Sequence, residues 1–253
     1  MTDRFVNRVA LVTGGGSGIG EASALAFARE GANVVIADVN IKGGEDVARR
    51  IKETGREAIF IQTDVTNPTS VKTMVEESVK AFGRLDFAFN SAGVAPHAGY
   101  TVADYPEEEW DRVTGINLKG VFLCLKYELQ QMQKQGSGSI VNASSILGLV
   151  ATGLFSSYVA AKHGVIGLTK AAALENAAIG IRVNAICPGY TQTPLIEFLT
   201  DVPEQREYLV SLHPMGRLGI PSEVAETVIW LCSDTASFIT GHALAVDGGY
   251  VAQ

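Results

Sequence analysis

The chain has 253 residues, 47% apolar and 19% charged, a balance that suits a buried core and excludes bulk disorder. Twenty Lys and Arg against 27 Asp and Glu leave a net charge of −7, which offers no basic footprint for nucleic acid. The three cysteines, Cys124, Cys187 and Cys232, are far apart and form no paired motif, so a cysteine-built metal site is not expected and reduced thiols in the cytoplasm are. No window approaches the roughly eighteen consecutive apolar residues of a membrane span, and the apolar run before Gly14 is too short for a signal-peptide core.

Taken in order, short β-branched runs alternate with longer stretches of three- and four-residue apolar spacing. Strands are predicted at 8–13, 33–38, 58–62, 85–90, 138–144, 182–187 and 243–246, and helices at 19–30, 43–54, 70–82, 106–135, 156–178 and 221–232. The alternation predicts an α/β chain, and the continuous apolar strands predict a predominantly parallel sheet of seven strands covered on both faces. With no composition break, linker or repeat, residues 1–253 read as one domain. Gly31 and Gly55 suit helix ends, Pro106 and Pro221 suit first turns, and Glu107 to Glu109 read as a solvated helix start. Only residues 189–219 break the rhythm, with prolines and aromatics after a strand end; they suit either a lid over a ligand or a surface loop with two short helices.

The strongest local signal is Thr13-Gly14-Gly15-Gly16-Ser17-Gly18-Ile19-Gly20, between an apolar strand and an amphipathic helix. Glycines there let backbone N–H groups and a helix N-terminus approach a pyrophosphate. Asp38 ends the next strand and can accept hydrogen bonds from an adenosine ribose. A carboxylate at that place repels a 2′-phosphate, and no Lys or Arg lies within 14–20, so NAD is favoured over NADP. Downstream, Ser144 and Ser145 end a strand, and Tyr158 and Lys162 stand four apart in a helix, hence on one face. An ammonium beside Tyr158, together with an oxidised nicotinamide, favours phenolate; Tyr158 can then exchange a proton during hydride transfer while Ser145 orients the substrate oxygen. His97, His163, His213 and His242 show no ligand spacing and read as neutral loop or core residues; no metal is assigned.

These residues together resemble the short-chain dehydrogenase/reductase family, and the resemblance runs through essentially the whole chain. It rests on Thr13 to Gly20, on Asn90-Ser91-Ala92-Gly93, on Asn117, Ser145 and the Tyr158–Lys162 pair, on the run from Pro188 to Thr193, and on Val246-Asp247-Gly248-Gly249. It implies a doubly wound Rossmann-type sheet of order 3-2-1-4-5-6-7. It implies a proton relay of Asn117, Ser145, Tyr158 and Lys162, in which Asn117 holds a water that connects Lys162 to solvent and Lys162 also binds the nicotinamide ribose. Ser145, thirteen residues before Tyr158, is then the catalytic serine rather than Ser144. The implied cofactor contacts are Gly14, Ser17, Gly18, Ile19, Gly20, Asp38, Asp64, Val65, Asn90, Ala92, Gly93, Tyr158, Lys162, Pro188, Gly189, Thr191 and Thr193. Ser91 departs from the family's usual second asparagine, which puts one hydrogen bond in question. Tyr-x3-Lys favours alcohol and ketone chemistry over double-bond reduction.

The expected activity is therefore NAD(H)-dependent interconversion of a secondary alcohol and a ketone. Ser145, Leu147, Phe155 and Tyr190 are the substrate-side candidates, and the apolar neighbourhood of 147–155 suits a hydrophobic, cyclic substrate. The resemblance further implies a homotetramer. Two rival readings are reduction of a 3-oxoacyl chain on an acyl carrier and a dinucleotide sensor without chemistry. Asp201, Glu204 and Glu207 stand against docking of an acidic carrier, and the complete Asn-Ser-Tyr-Lys set stands against a sensor.

Overall fold

A computed structural model describes residues 4–97 and 99–253. Seven strands, β1 (Val9–Thr13), β2 (Asn33–Asp38), β3 (Ala58–Gln62), β4 (Phe87–Asn90), β5 (Gly138–Ala143), β6 (Ile181–Pro188) and β7 (Ala243–Val246), form one sheet of order β3-β2-β1-β4-β5-β6-β7. Every neighbouring pair is parallel. β1 is buried along its whole length, as the continuous Val-Ala-Leu-Val run requires of a strand with helices on both faces. On one face, α1 (Gly18–Arg29) and α9 (Pro221–Cys232) pack together over the sheet, and Phe5, Phe27 and Phe87 anchor that core, with Phe5 and Phe87 centroids 4.5 Å apart. The opposite core lies under α3 (Pro68–Phe82), α5 (Val121–Gln135) and α6 (Ser156–Asn176). α2 (Ile41–Glu53) covers β2 and β3 on the first face.

Local chemistry sets the helix ends. Asn67 caps α3 by accepting hydrogen bonds from the Thr69 and Ser70 N–H groups, ahead of Pro68 in the first turn, and Asn40 caps α2 through the Gly43 N–H; both meet donors that a helix start leaves unpaired. One expectation is modified, and the break expected at 189–219 is found with two short helices. The helix predicted over 106–135 is three segments: α4 (Glu107–Thr114), a π-helical stretch Gly115–Gly120, and α5. The wider π turn carries Asn117, whose amide is drawn across to a neighbouring loop, as described below. In the 189–219 region, a 3₁₀ turn (Pro194–Ile196), α7 (Glu197–Thr200) and α8 (Pro203–Ser211) interrupt the alternation.

One polar chain crosses the second core. Asn90 on β4 donates from Nδ2 to Glu128 on α5 at 2.9 Å and to Asn142 on β5 at 3.0 Å, and Asn142 donates in turn to Thr169 on α6 at 2.9 Å. Among the described residues, Glu128 Oε1 and Asn90 Oδ1 have no partner. Burial lifts the Glu128 carboxyl to about 7, against the pull of the Asn90 hydrogen bond, because a lone carboxylate is poorly solvated there. A carboxyl raised on folding stabilises the fold below its unfolded value and loses that contribution as pH rises towards 7. Glu128→Gln removes this titration. Between pH 5 and pH 8 its unfolding free energy is expected to change less than that of the parent chain, by on the order of 3 kcal/mol; the same pH-dependent change in both proteins, measured by urea titration, would contradict this.

Candidate active site

The cleft opens at the carboxyl ends of β1 to β6 and encloses about 550 Å³. The Gly-rich turn forms one wall. Gly14 and Gly18 have positive φ, +63° and +56°, and a Cβ on Gly14 would lie 2.8 Å from the Ala92 backbone, while one on Gly20 would meet the Gly14 carbonyl at 2.0 Å. Only glycine tolerates both the turn and the contact. Ser17, at the start of α1, leaves the first N–H groups of the helix without a side-chain cap. That is a cradle for a phosphate: free donors, a helix N-terminus and no Cβ in the way.

Asp38 closes the next wall at the end of β2. Its two oxygens accept from the Gly16 and Asn40 N–H groups, each at 2.9 Å, so the carboxylate is held in place and ties the Gly-rich turn to β2. Each oxygen retains a lone pair for a ribose hydroxyl. Asp64 and Val65 also line the cleft, although the Asp64 carboxylate accepts from Thr66 within its own turn. The residues present therefore fit an adenine dinucleotide without strain.

Ser145, Tyr158 and Lys162 come together on the far side. Ser145 follows β5, and its Oγ accepts from the Leu147 N–H at 3.1 Å. Tyr158 and Lys162 lie in the first turns of α6, with Lys162 Nζ 5.4 Å from the Tyr158 ring centroid. Nζ donates to the Ala143 carbonyl on β5 at 2.8 Å. Ser144 turns away and donates to the Lys162 carbonyl, so the geometry separates the two serines as the thirteen-residue spacing suggests. Burial pushes the Tyr158 phenol up to about 12, against the pull of Ser145, and brings the Lys162 ammonium down to about 8. The lowering of Tyr158 expected from Lys162 is not found in the protein alone: desolvation raises the phenol, and Ser145 rather than Lys162 opposes it. Both groups hold their protons at neutral pH, which makes Tyr158 a proton donor.

Of the residues singled out from sequence, Gly14, Ser17, Gly18, Ile19, Gly20, Asp38, Asp64, Val65, Ala92, Gly93, Ser145, Leu147, Phe155, Tyr158, Lys162, Pro188, Gly189, Tyr190, Thr191 and Thr193 all line the cleft. Asn90 and Asn117 do not. The Asn90 side chain points into the core towards Glu128 and Asn142, because the polar chain across the strands takes its amide. The Asn117 amide clamps Val94, donating to its carbonyl and accepting from its N–H, each at 2.8 Å. A Cβ on Gly93 would sit 3.1 Å from Asn117 Oδ1 and 3.7 Å from Lys162 Nζ, so Asn117 holds the loop that walls in Lys162.

Other residues that the sequence reading passed over also shape the cleft. Glu109 is not merely a solvated helix start: its side chain is 11% exposed, it takes both Nε and Nη2 of Arg112, and it accepts from the His97 N–H. These contacts hold its carboxyl down at about 2 and, with the Arg112 bond to the Ala95 carbonyl, pin the loop carrying Val94, Ala95 and Pro96 at the mouth. The Glu109–Arg112 pair is a local i,i+3 contact, but nothing local signalled its hold on the loop, because His97 lies twelve residues from Glu109 and Ala95 seventeen from Arg112.

Comparison with known proteins agrees with this geometry. A family model described as enoyl-(acyl carrier protein) reductase matches residues 14–251. Over 254 residues the chain is 46% identical to the cyclohexanol dehydrogenase of Acinetobacter sp. (strain SE19), spanning 100% of this chain and 98% of that protein. It is 48% identical to the cis-4-hydroxycyclohexanecarboxylate dehydrogenase of Sinomonas cyclohexanicum over 100% of both. The crystal structure of levodione reductase superposes with a TM-score of 0.95 at 38% identity, covering 98% of this chain and 99% of that one. The fold and cleft define a dinucleotide-binding oxidoreductase. The chain belongs to the short-chain dehydrogenase/reductase family, whose cofactor is a nicotinamide dinucleotide.

Tyr158→Phe removes the phenol proton that α6 places in the cleft beside Ser145. Turnover is expected to fall by about three orders of magnitude or more, while binding of reduced dinucleotide, followed by its fluorescence, persists; retained turnover would remove Tyr158 from the chemistry.

Proposed function

We propose that this enzyme interconverts an alicyclic secondary alcohol and its ketone with NAD(H). The observation that carries the reading is the meeting of Ser145, Tyr158 and Lys162 beside an apolar half-cleft with Leu147, Phe155, Leu195, Phe198 and Leu199. A six-membered ring fits those walls, and the names of the cyclohexanol and hydroxycyclohexanecarboxylate dehydrogenases support a ring. The dinucleotide, when bound, supplies the acceptor or donor of the hydride.

In reduction, Tyr158 gives its proton to the carbonyl oxygen while Ser145 donates a hydrogen bond to the same oxygen, and the carbinol carbon gains the hydride. In oxidation the proton returns from the alcohol oxygen to the Tyr158 phenolate. Lys162 keeps a positive charge near that phenolate and presents donors to the ribose, and Asn117 positions the Gly93–Val94 loop around it. Asn90 acts from beneath, fixing the end of β4. The remaining residues from Gly14 to Gly20, with Asp38, Asp64, Val65, Ala92, Gly93, Pro188, Gly189, Thr191 and Thr193, form the dinucleotide wall, and 189–219 closes over it as a lid.

NAD rather than NADP follows from the Asp38 carboxylate, which a 2′-phosphate would approach at close range. An acyl-carrier substrate, which the description of the matching family model would suggest, is disfavoured by Asp201, Glu204 and Glu207 on the lid, since an acidic carrier would be repelled there. A homotetramer is what membership of the family implies; exposed Phe238 and Leu174 are compatible with contact surfaces between copies of this chain. The three cysteines are free and buried, which suits the cytoplasm, and no helix among the described residues is long and apolar enough to cross a membrane.

Absorbance of reduced nicotinamide, followed with NAD or NADP and a panel of cyclic alcohols, steroids, sugars and diols, tests the reading. Turnover of cyclic alcohols with NAD is the expected result, and silence across the panel despite dinucleotide binding would overturn it. Asp38→Ala is expected to narrow the NAD preference by at least tenfold; unchanged discrimination removes that role. Because the Tyr158 phenol sits near 12, alcohol oxidation, which needs phenolate, is expected to rise in kcat/KM from pH 7 to pH 9.5. Ketone reduction, which needs phenol, is not; matched pH profiles for the two directions would contradict the assignment.

A further inference from the structure

His213 was read from sequence as an ordinary loop or core histidine, and the chemistry above does not use it. In the fold it is buried and bonded on both sides of its ring. Nδ1 donates to the Leu209 carbonyl at the end of α8, at 2.8 Å, and Nε2 accepts from the Tyr190 N–H at 3.2 Å. Gly189 allows this approach: a Cβ there would lie 2.8 Å from Nε2 and 3.0 Å from the Asp247 Cα. The Tyr190 carbonyl is held as well, by the Gly219 N–H at 3.0 Å. Both main-chain polar groups of Tyr190 are therefore tied to the lid stem.

The ring of Tyr190 is bracketed too. Its centroid lies 5.9 Å from that of His213 and 6.3 Å from that of Tyr250, both edge-on, and His213 and Tyr250 are 5.5 Å apart. Tyr250 belongs to a C-terminal tail folded against the same stem: Asp247 accepts from the Gly249 and Val251 N–H groups, Met215 N–H donates to the Gly248 carbonyl, and the Gln253 side chain donates to the Leu212 carbonyl. So much fixing of one cleft residue leaves its ring little freedom.

What Tyr190 presents is a phenol. Among the described residues its hydroxyl has no hydrogen-bond partner; Tyr190 lines the cleft with Tyr158 and Ser145, and it lies near enough to Tyr158 to disfavour ionisation of the Tyr158 phenol. Burial lifts it to about 12, so it remains a donor throughout the neutral range. Around it Leu147, Phe155, Leu195 and Phe198 are apolar. A lone fixed donor in an apolar half-cleft discriminates by the acceptor it demands.

We infer that Tyr190 is a specificity residue that hydrogen-bonds a second oxygen of the substrate, and that His213 is the positioning residue which seats it, so that the preferred substrates are ring alcohols or ketones bearing a further hydroxyl or carbonyl. The inference rests on the ring-alcohol reading of the cleft. Its test is a binding measurement, so it can fail independently of turnover. Dissociation constants are measured by calorimetry for cyclohexanone and for cyclohexane-1,2-, 1,3- and 1,4-dione on the protein saturated with NAD, where ketones bind without reacting.

For at least one dione the parent protein is expected to bind more tightly than cyclohexanone by about tenfold, the worth of one good hydrogen bond, and Tyr190→Phe to bring that ratio close to one. His213→Gln keeps an acceptor where Nε2 stood and is expected to retain the preference, whereas His213→Asn keeps only the group facing Leu209 and is expected to lose it while cyclohexanone affinity stays within twofold. A parent protein without preference for any dione, or a preference that survives Tyr190→Phe, overturns the role of Tyr190; a preference intact in His213→Asn overturns that of His213. Absence of turnover with an intact Tyr190-dependent ratio would instead overturn the redox reading and support this one.

Discussion

β1 lies between β2 and β4, and almost everything at the site follows from that placement. Where a parallel sheet reverses its order, the loops leaving neighbouring strands diverge to opposite faces and a crevice opens between them. Here the loop after β1 must pass so close to the loop after β4 that a single Cβ on Gly14 would strike the Ala92 backbone. The contact brings the phosphate-facing turn and the Ala92–Gly93 segment together. Gly93 in turn bears on Asn117 and Lys162, so a constraint on the β1–β4 crossing reaches the proton-transfer groups through successive packed residues.

The second half of the site depends on tolerated desolvation. Lys162 is buried with no carboxylate among its hydrogen-bond partners, held by a strand carbonyl, and Tyr158 is held where its phenolate is disfavoured. Such a site would be costly in a fold stabilised by a few kcal/mol overall. It persists because α6 and β5 are rigidly packed around it, and because charge is introduced where the chemistry develops it. Glu128, with the Asn90–Asn142–Thr169 chain, shows the same economy deeper in the core: polar groups share partners across four elements, and burial keeps the acid protonated up to about pH 7.

Long regular periods made the sheet and its covering helices readable from sequence, with boundaries within one or two residues for most strands. β4 begins two residues later than predicted because Leu85 and Asp86 are engaged at its foot, Leu85 with Gln135 and Asp86 with Arg8 and Arg84. The π turn around Asn117 was not readable: its apolar spacing continues a helix, and only the pull of Val94 from another loop widens it. The side-chain partners of Asn90 and Glu109 were unreadable for a related reason. Their sequence neighbours describe a cofactor segment and a charged helix start, whereas Asn90 is held from β5 and α5, and Glu109, besides its neighbour Arg112, reaches a loop twelve residues away.

Sequence alone determined the alternation of strand and helix, the parallel sheet, the glycine turn and the acidic end of β2, since each is a property of local spacing or residue type, while Ser145, Tyr158 and Lys162 stood out through the family resemblance. Tertiary structure decided what those groups experience. The high pKa of Tyr158, the turning of Asn90 into the core, the binding of the mouth loop by Glu109 and the seating of Tyr190 by His213 and the C-terminal tail all arise from contacts between distant segments. Burial and hydrogen-bond partners are set by packing in three dimensions, and no local pattern encodes them.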